Sequence, residues 1–152
     1  MLDQGQPEGH QYYWKSEYLR VLPDDAIETA VDYSARMTSP LGRVAIFHLG
    51  GAAGQIDEMA MAASHRDAEY IVAINNCWKD PADNEQQIGW TRDFWREVQP
   101  FSTGTYINFM SSDAGQERVK AGYGAEKYER LVEVKERYDP ENFFRLNQNV
   151  EP

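Results

Sequence analysis

A tyrosine and an asparagine stand two residues apart in a β-prone run, residues 103–110 of the 152-residue chain. A regular strand would place the side chains of Tyr106 and Asn108 on one face. A tyrosine with a lowered pKa can take a proton from an alcohol. Most half-buried tyrosines instead pack on a sheet and use the hydroxyl only for a hydrogen bond. Residue types alone therefore favour the packing role for Tyr106.

Motifs with fixed cofactor spacing are missing from the sequence. Residues 50–54 are rich in glycine, but they have neither the GxGxxG spacing nor a Gly-Lys-Ser/Thr ending, so we interpret them as a loop. Cys77 is the only cysteine and lies in an apolar run, which excludes an internal disulfide and a thiolate metal cluster. We therefore predict no metal site.

Composition excludes several classes of partner. The net charge is -10, from 15 basic and 25 acidic residues, which argues against nucleic acid and against anionic membrane surfaces. An apolar content of 41% with 12% aromatic residues is enough for a packed core. No apolar run approaches the roughly 20 residues that span a bilayer, so we expect a cytoplasmic protein without membrane association.

Strands and helices alternate along the predicted structure. Residues 1–9 are predicted to form an entry loop, and 111–124 a polar connection with about one helical turn. Strands are predicted over 12–18, 43–49, 69–78 and 103–110, and helices after Pro23, after Asp83 and over Ala125–Tyr138. This order predicts an α+β fold: a mainly antiparallel sheet covered by helices on one face, with a helical C-terminal tail.

Three segments carry a resemblance to a known family. The tail reads YGAEKYERL and continues as YDPENFFRLNQN, and upstream segments read YYWKS from Tyr12 and YINF from Tyr106. Together they resemble the C-terminal part of berberine-bridge-enzyme-like FAD-linked oxidases, within the vanillyl-alcohol-oxidase-type flavoprotein superfamily. The resemblance covers essentially the whole chain in the family's order.

This resemblance implies a division of the chain and a cofactor. Residues 1–105 would be a substrate-binding domain portion and residues 106–152 the family's C-terminal segment, while the N-terminal FAD-binding domain is absent from the sequence. FAD is implied for the complete enzyme but is not expected to bind this chain alone. The implied partners are an FAD-binding domain or subunit and a small-molecule substrate.

The resemblance also assigns candidate site residues. Tyr106 occupies the position of a catalytic tyrosine. Asn108, Asn147 and Asn149 are candidates for cofactor binding, and Asn75 and His65 for substrate binding. For the four asparagines the alternative is a structural amide, and for His65 it is a histidine that caps a turn. Relatives carry lysine and glutamine where this chain has Ile71 and Ala73, which leaves the substrate class open.

The implied function is the substrate-binding and C-terminal part of an FAD-dependent oxidoreductase, inactive alone, that oxidises an alcohol, sugar or small natural product by hydride transfer to flavin. The alternative is a stand-alone, non-catalytic α+β binding module or truncation product, possibly a homodimer. In either case we expect Phe143, Phe144 and Leu146 to dock on the chain's own sheet or on a second copy, because exposed apolar clusters tend to associate.

Overall fold

A three-stranded antiparallel sheet in the order β1-β3-β2 lies at the centre of the structure. The computed structural model describes residues 7–111 and 113–152, so residues 1–6 of the predicted entry loop and Ser112 of the predicted connection lie outside the described part. The strands are β1 (Gln11–Leu19), β2 (Arg43–His48) and β3 (Tyr70–Trp78). β3 pairs with both neighbours, and the three strands predicted before residue 80 are confirmed.

Four α-helices accompany this sheet in the described part of the chain. They are α1 (Asp24–Ala35), α2 (Asn84–Val98), α3 (Gln116–Tyr123) and α4 (Ala125–Tyr138). Asp80 accepts a hydrogen bond from the Ala82 amide where the chain turns toward α2, and Pro100 lies in the short 3-10 turn Gln99–Phe101 that ends it. Within residues 7–111 and 113–152, no helix has the length and apolarity that a membrane span requires.

Helices α1 and α2 pack on one face of the sheet. Side chains at four-residue spacing on α2 bury their apolar groups against alternate residues of β3, because both periodicities bring every contact to one side. The core formed in this way contains Leu19, Val72, Ile74, Ala26, Ala30, Trp90, Phe94 and Val98. The α+β prediction, with an antiparallel sheet and helices on one face, is confirmed.

The predicted strand over 103–110 is wrong. The segment forms only an isolated bridge to β1, in which Tyr18 donates its amide proton to the Gly104 carbonyl at 2.7 Å. It then leaves the sheet edge and makes a 3-10 turn over Ile107–Phe109. Tight contact with α3 explains the departure, since a Cβ atom on Gly122 would lie 2.3 Å from Ile107 Cδ1. Local β propensity is therefore overridden by tertiary packing.

Two further expectations about the C-terminal third need correction. The connection after residue 110 contains the eight-residue helix α3 rather than a single turn. The apolar tail does not dock on the chain's own sheet: Phe143, Phe144 and Leu146 are 77%, 76% and 85% exposed. Of the docking arrangements expected for the tail, self-docking is thus excluded, and pairing with another chain stays a prediction.

A buried carboxylate joins β1, α2 and α3. The side chain of Glu17 is 3% exposed and accepts hydrogen bonds from Trp95 Nε1, Ser102 Oγ and the Arg118 guanidinium. Arg118 also lies over the Trp95 ring, 4.6 Å from its centroid. Since a buried charge is costly unless paired and hydrogen-bonded, these donors make burial of Glu17 tolerable.

We expect Glu17→Ala to destabilise the chain by about 3–5 kcal/mol, because it leaves the Arg118 guanidinium without its buried partner. Glu117→Ala is the matched control, since the Glu117 side chain is 93% exposed and pairs only loosely with Lys120 at 3.7 Å; its effect should stay within about 0.5 kcal/mol. Urea unfolding of both variants measures the difference. Equal losses would show that the buried pair contributes nothing beyond a surface pair.

Candidate functional site

The sheet face opposite α1 and α2 carries the candidate site. Cross-strand pairing forms three rows on this face, and the middle row consists of the small residues Ser16, Ala73 and Ala45. The row beside it, Tyr18, Ile71 and Phe47, is aromatic and aliphatic. Tyr106 and Phe109 pack against the cluster that Tyr18, Ala68, Ile71 and Ala73 form. The short segment that carries Tyr106 and Phe109 thus covers much of this part of the face, together with Leu49.

Tyr106 and Asn108 lie together, although not on a strand. Asn108 Nδ2 donates a hydrogen bond to Tyr106 Oη at 2.9 Å. The Tyr106 ring is held edge-on by Phe109, with centroids 4.9 Å apart, and by Tyr18 at 5.9 Å. The 3-10 turn after Tyr106 therefore brings about the proximity that the sequence ascribes to strand periodicity.

A pocket of about 410 Å³ opens beside Tyr106. Aromatic and small side chains line most of it, including Phe47, Phe109 and Tyr18, with His65 and Arg66 at one wall. Burial, and next the neighbouring Tyr106 phenol, raises the pKa of Tyr18 to about 12. Tyr18 is therefore neutral at physiological pH, and the pocket wall that it forms carries no charge.

His65 lies at this pocket in an unusual backbone conformation. Its φ is +60°, a region that residues with a Cβ rarely adopt, and its ring centroid lies 5.0 Å from that of Tyr18. Among the described residues, no hydrogen-bond partner is present for the buried Nε2 atom. His65 thus lines the pocket, while its Nε2 atom is unpaired and buried from solvent.

The asparagine candidates occupy two places. Asn108 and Asn147 line the same pocket of about 400 Å³, between the 3-10 turn and the tail. Gln148 Nε2 donates to the Met110 carbonyl at 3.1 Å and fixes the tail there. Asn149 follows, with its amide donating to the Asn147 carbonyl at 3.1 Å and its buried Oδ1 without a partner in the described part of the chain.

Asn75 lies apart from Tyr106, on the same sheet face as Ile71 and Ala73. It pairs with Trp14 of β1 and Arg43 of β2, and its Oδ1 atom is buried without a hydrogen bond from any described residue. The structure therefore brings Tyr106 together with Asn108 and, at the pocket, with His65. Asn108 also shares a pocket with Asn147, to which Asn149 is hydrogen-bonded, and Asn75 lies alone.

Sequence patterns missed two features of the site. Tyr18 was predicted to lie in a strand but not at the pocket, because its place there follows from the register with β3, which only the structure shows. The ion pair between Glu58, in the loop that carries His65, and Lys127 of α4 was also missed, because the two residues are 69 positions apart in the sequence. Within residues 7–111 and 113–152, His, Cys, Asp and Glu side chains form no group that could hold a metal ion.

Comparison with known proteins identifies the family. Residues 105–151 match the family model described as berberine and berberine like. An FAD-linked oxidoreductase of Dictyostelium discoideum is 26% identical over the whole of this chain and 33% of its own length. The aclacinomycin-N/aclacinomycin-A oxidase of Streptomyces galilaeus is 31% identical over 91% of this chain and 29% of its own length. The chain thus spans about a third of the length of these relatives.

Solved structures show the same relation in three dimensions. A glycopeptide hexose oxidase crystallised with teicoplanin is 26% identical, with a TM-score of 0.81 over 95% of this chain and 33% of that protein. The berberine bridge enzyme of Eschscholzia californica shares the fold at 20% identity, with a TM-score of 0.82 over 94% of this chain and 33% of the enzyme. The chain corresponds to a C-terminal part of these proteins. By its family match, its relatives and its fold, it belongs to the berberine-bridge-enzyme-like family of FAD-linked oxidoreductases.

Proposed function

We propose that this chain provides the substrate-binding face and C-terminal segment of an FAD-dependent oxidoreductase that oxidises an alcohol, sugar or small natural product. One observation carries the proposal: Tyr106, whose hydroxyl accepts a hydrogen bond from the Asn108 amide, lines an aromatic pocket on the sheet face away from α1 and α2. The relatives named above are flavin-linked oxidases or oxidoreductases, which supports the same reaction type.

The residues present fit one edge of a flavin ring. Asn108 and Asn147 share a pocket, and the buried Oδ1 of Asn149 is unpartnered among the described residues. Amide groups supply both donors and acceptors, as the polar edge of a flavin requires. FAD, when bound, would accept the hydride. The sequence has no glycine-rich phosphate motif, so these three asparagines would hold only the ring.

Tyr106 is proposed to accept the substrate's hydroxyl proton. In this role Tyr106 would react as the phenolate and become the neutral phenol, and the Asn108 amide, 2.9 Å from Tyr106 Oη, is positioned to stabilise that phenolate before it takes the proton. Tyr18 is a poor base, because its proton is lost only near pH 12, and its role is to form the wall that holds the substrate.

The exposed tail is proposed to bind an FAD-binding domain or subunit. Asp139 accepts hydrogen bonds from the amides of Phe143 and Phe144, at 2.7 and 3.0 Å, and Lys135 Nζ donates to the Phe144 carbonyl at 2.6 Å. The two exposed rings are therefore presented by an ordered turn. Because little conformational entropy remains to be lost there, a partner can bind them at low cost.

The same exposure favours a second function, a non-catalytic binding module that forms a homodimer. Phe143, Phe144 and Leu146 are each more than three-quarters exposed, and an apolar cluster of this kind associates with whatever complementary surface is available. A second copy of the chain would then cover the tail instead of a flavin domain.

We expect Tyr106→Phe to lower kcat by about 10²–10⁴-fold in the protein joined to its FAD-binding domain, with little change in KM, because the proton acceptor is lost while the ring remains. Anaerobic flavin reduction by candidate alcohols and sugars measures the rate. Tyr138→Phe is the matched control, since Tyr138 is 72% exposed at the end of α4. An unchanged kcat in Tyr106→Phe would contradict the catalytic assignment.

We expect the chain alone to purify without stoichiometric flavin, because the asparagines named above contact one edge of the ring at most. The absorbance spectrum of the purified protein, and of the supernatant after denaturation, measures the cofactor content. A yellow protein with one flavin per chain would show that the described residues bind the cofactor without a second domain.

For the tail, we expect the chain alone to self-associate and a variant ending at Asp139 to be monomeric, since exposed rings drive association. Sedimentation velocity measures both, and a variant lacking only residues 150–152 is the control. Adding an FAD-binding domain should dissociate the dimer by competition for the tail. A dimer that persists favours the binding-module function, whereas monomers throughout, without binding to that domain, would contradict both roles of the tail.

A further inference from the structure

The loop over residues 56–66 separates the Tyr106 pocket from helix α4. Its last part supplies one wall of the pocket through Ala63, Ser64, His65 and Arg66. Ser64 Oγ donates to the Tyr123 carbonyl at 2.8 Å, where α3 ends. The loop therefore contacts the pocket on one side and the C-terminal helices on the other.

Glu58 and Lys127 connect this wall to α4. Glu58 accepts hydrogen bonds from the backbone amides of His65, at 3.2 Å, and Arg66, at 2.9 Å. Lys127 Nζ donates to Glu58 Oε1 at 2.7 Å and to the Ala63 carbonyl at 2.9 Å. The Lys127 side chain is only 6% exposed, so its ammonium group depends on these two acceptors.

The direction of the Glu58 pKa shift agrees with this arrangement. Burial acts to raise the pKa of Glu58, but the hydrogen bonds from Lys127 and from the Arg66 and His65 amides outweigh it and hold the pKa below its ordinary value. The carboxylate is therefore charged at neutral pH and available to all three donors.

His65 is also constrained by its backbone conformation and by the neighbours of its ring. Its φ of +60° is unfavourable for a side-chain-bearing residue, so surrounding contacts must maintain it. Its ring lies between Tyr18 and Gly104, and a Cβ atom at Gly104 would approach His65 Cε1 to 2.0 Å. Glycine at position 104 thus makes the space that the ring occupies.

We propose that Lys127 and Glu58 are positioning residues that hold His65 against Tyr18 and thereby set the shape of the substrate pocket. We call the Lys127–Glu58 pair the clamp. The inference rests on the proposed function only in taking this pocket as the substrate site. Tyr106 lies on a different segment, residues 104–109, and its hydroxyl takes a hydrogen bond from Asn108 of that same segment. Loss of the clamp therefore changes substrate binding rather than proton transfer.

Lys127→Met in the full chain tests the clamp. It removes the ammonium group and keeps the length of the side chain, so we expect hydrogen exchange at the His65 and Arg66 amides to accelerate by about tenfold or more, as local opening becomes easier. The His65 ring proton signals should also lose the shift caused by the Tyr18 ring. Lys120→Met, an exposed lysine on α3, is the matched control and should leave both readouts unchanged.

Gly104→Ala calibrates the ring signal, because its methyl group must displace His65 from the opposite side. Glu58→Gln, at a side chain 46% exposed, provides a second variant that is expected to fold and to give the same result as Lys127→Met. If Lys127→Met or Glu58→Gln lowers thermal stability while the His65 amide and ring signals stay unchanged, the clamp is merely structural and the proposal is wrong.

These readouts need no flavin, so they are independent of the outcome of the oxidase assay. In the protein joined to its FAD-binding domain, the clamp predicts a rise in KM for Lys127→Met with kcat maintained, opposite to the pattern expected for Tyr106→Phe. A fall in kcat at unchanged KM would overturn the positioning role even if the proposed oxidase activity is observed.

Discussion

The double burial of strand β3 is the constraint on which the other features depend. β3 is hydrogen-bonded to a neighbour at both edges, and Ile71, Val72, Ala73 and Ile74 are each at most 6% exposed. A strand buried on both faces needs cover on both sides. The helices α1 and α2 cover one side, whereas residues 104–109, with Leu49 and His65 beside them, cover the other side with a thinner layer. The pocket exists because that second layer is incomplete.

The packing of Tyr106 in this layer is compatible with the chemical role that we propose for it. Its ring packs edge-on against Tyr18 and Phe109, which fixes its position more firmly than a lone contact would. Its hydroxyl points away from this packing toward Asn108. Small residues beneath, Ala73 among them, leave room for these rings. The packing of Tyr106 is therefore no argument against the proposed proton transfer, because a reacting phenol requires a fixed ring.

Sequence periodicity predicted the sheet and the long helices but not the cover of the open face. The strands up to residue 78, the aromatic side of α2 and the helix over Ala125–Tyr138 have patterns strong enough to determine their elements. Residues 103–110 have strand propensity too, yet Ile107 packs on Gly122 and Phe109 on the sheet, in directions that one flat strand cannot supply. The pairing of Tyr106 with Asn108 was thus predicted from the wrong geometry.

Polar contacts, together with apolar ones, attach the C-terminal helices to the rest of the chain. Arg118 of α3 reaches Glu17 on β1, Lys127 of α4 reaches Glu58, and Arg130 donates to the Met59 carbonyl at 3.0 Å. Buried ion pairs add little net stability over apolar packing, but a mispaired arrangement leaves charges stranded and is costly. Such contacts favour one orientation of the helices over others, because the other orientations would leave buried charges unpaired. Since the 56–66 loop contacts α4 through Lys127 and forms one wall of the pocket, these charges bear on the shape of the pocket as well as on the stability of the fold.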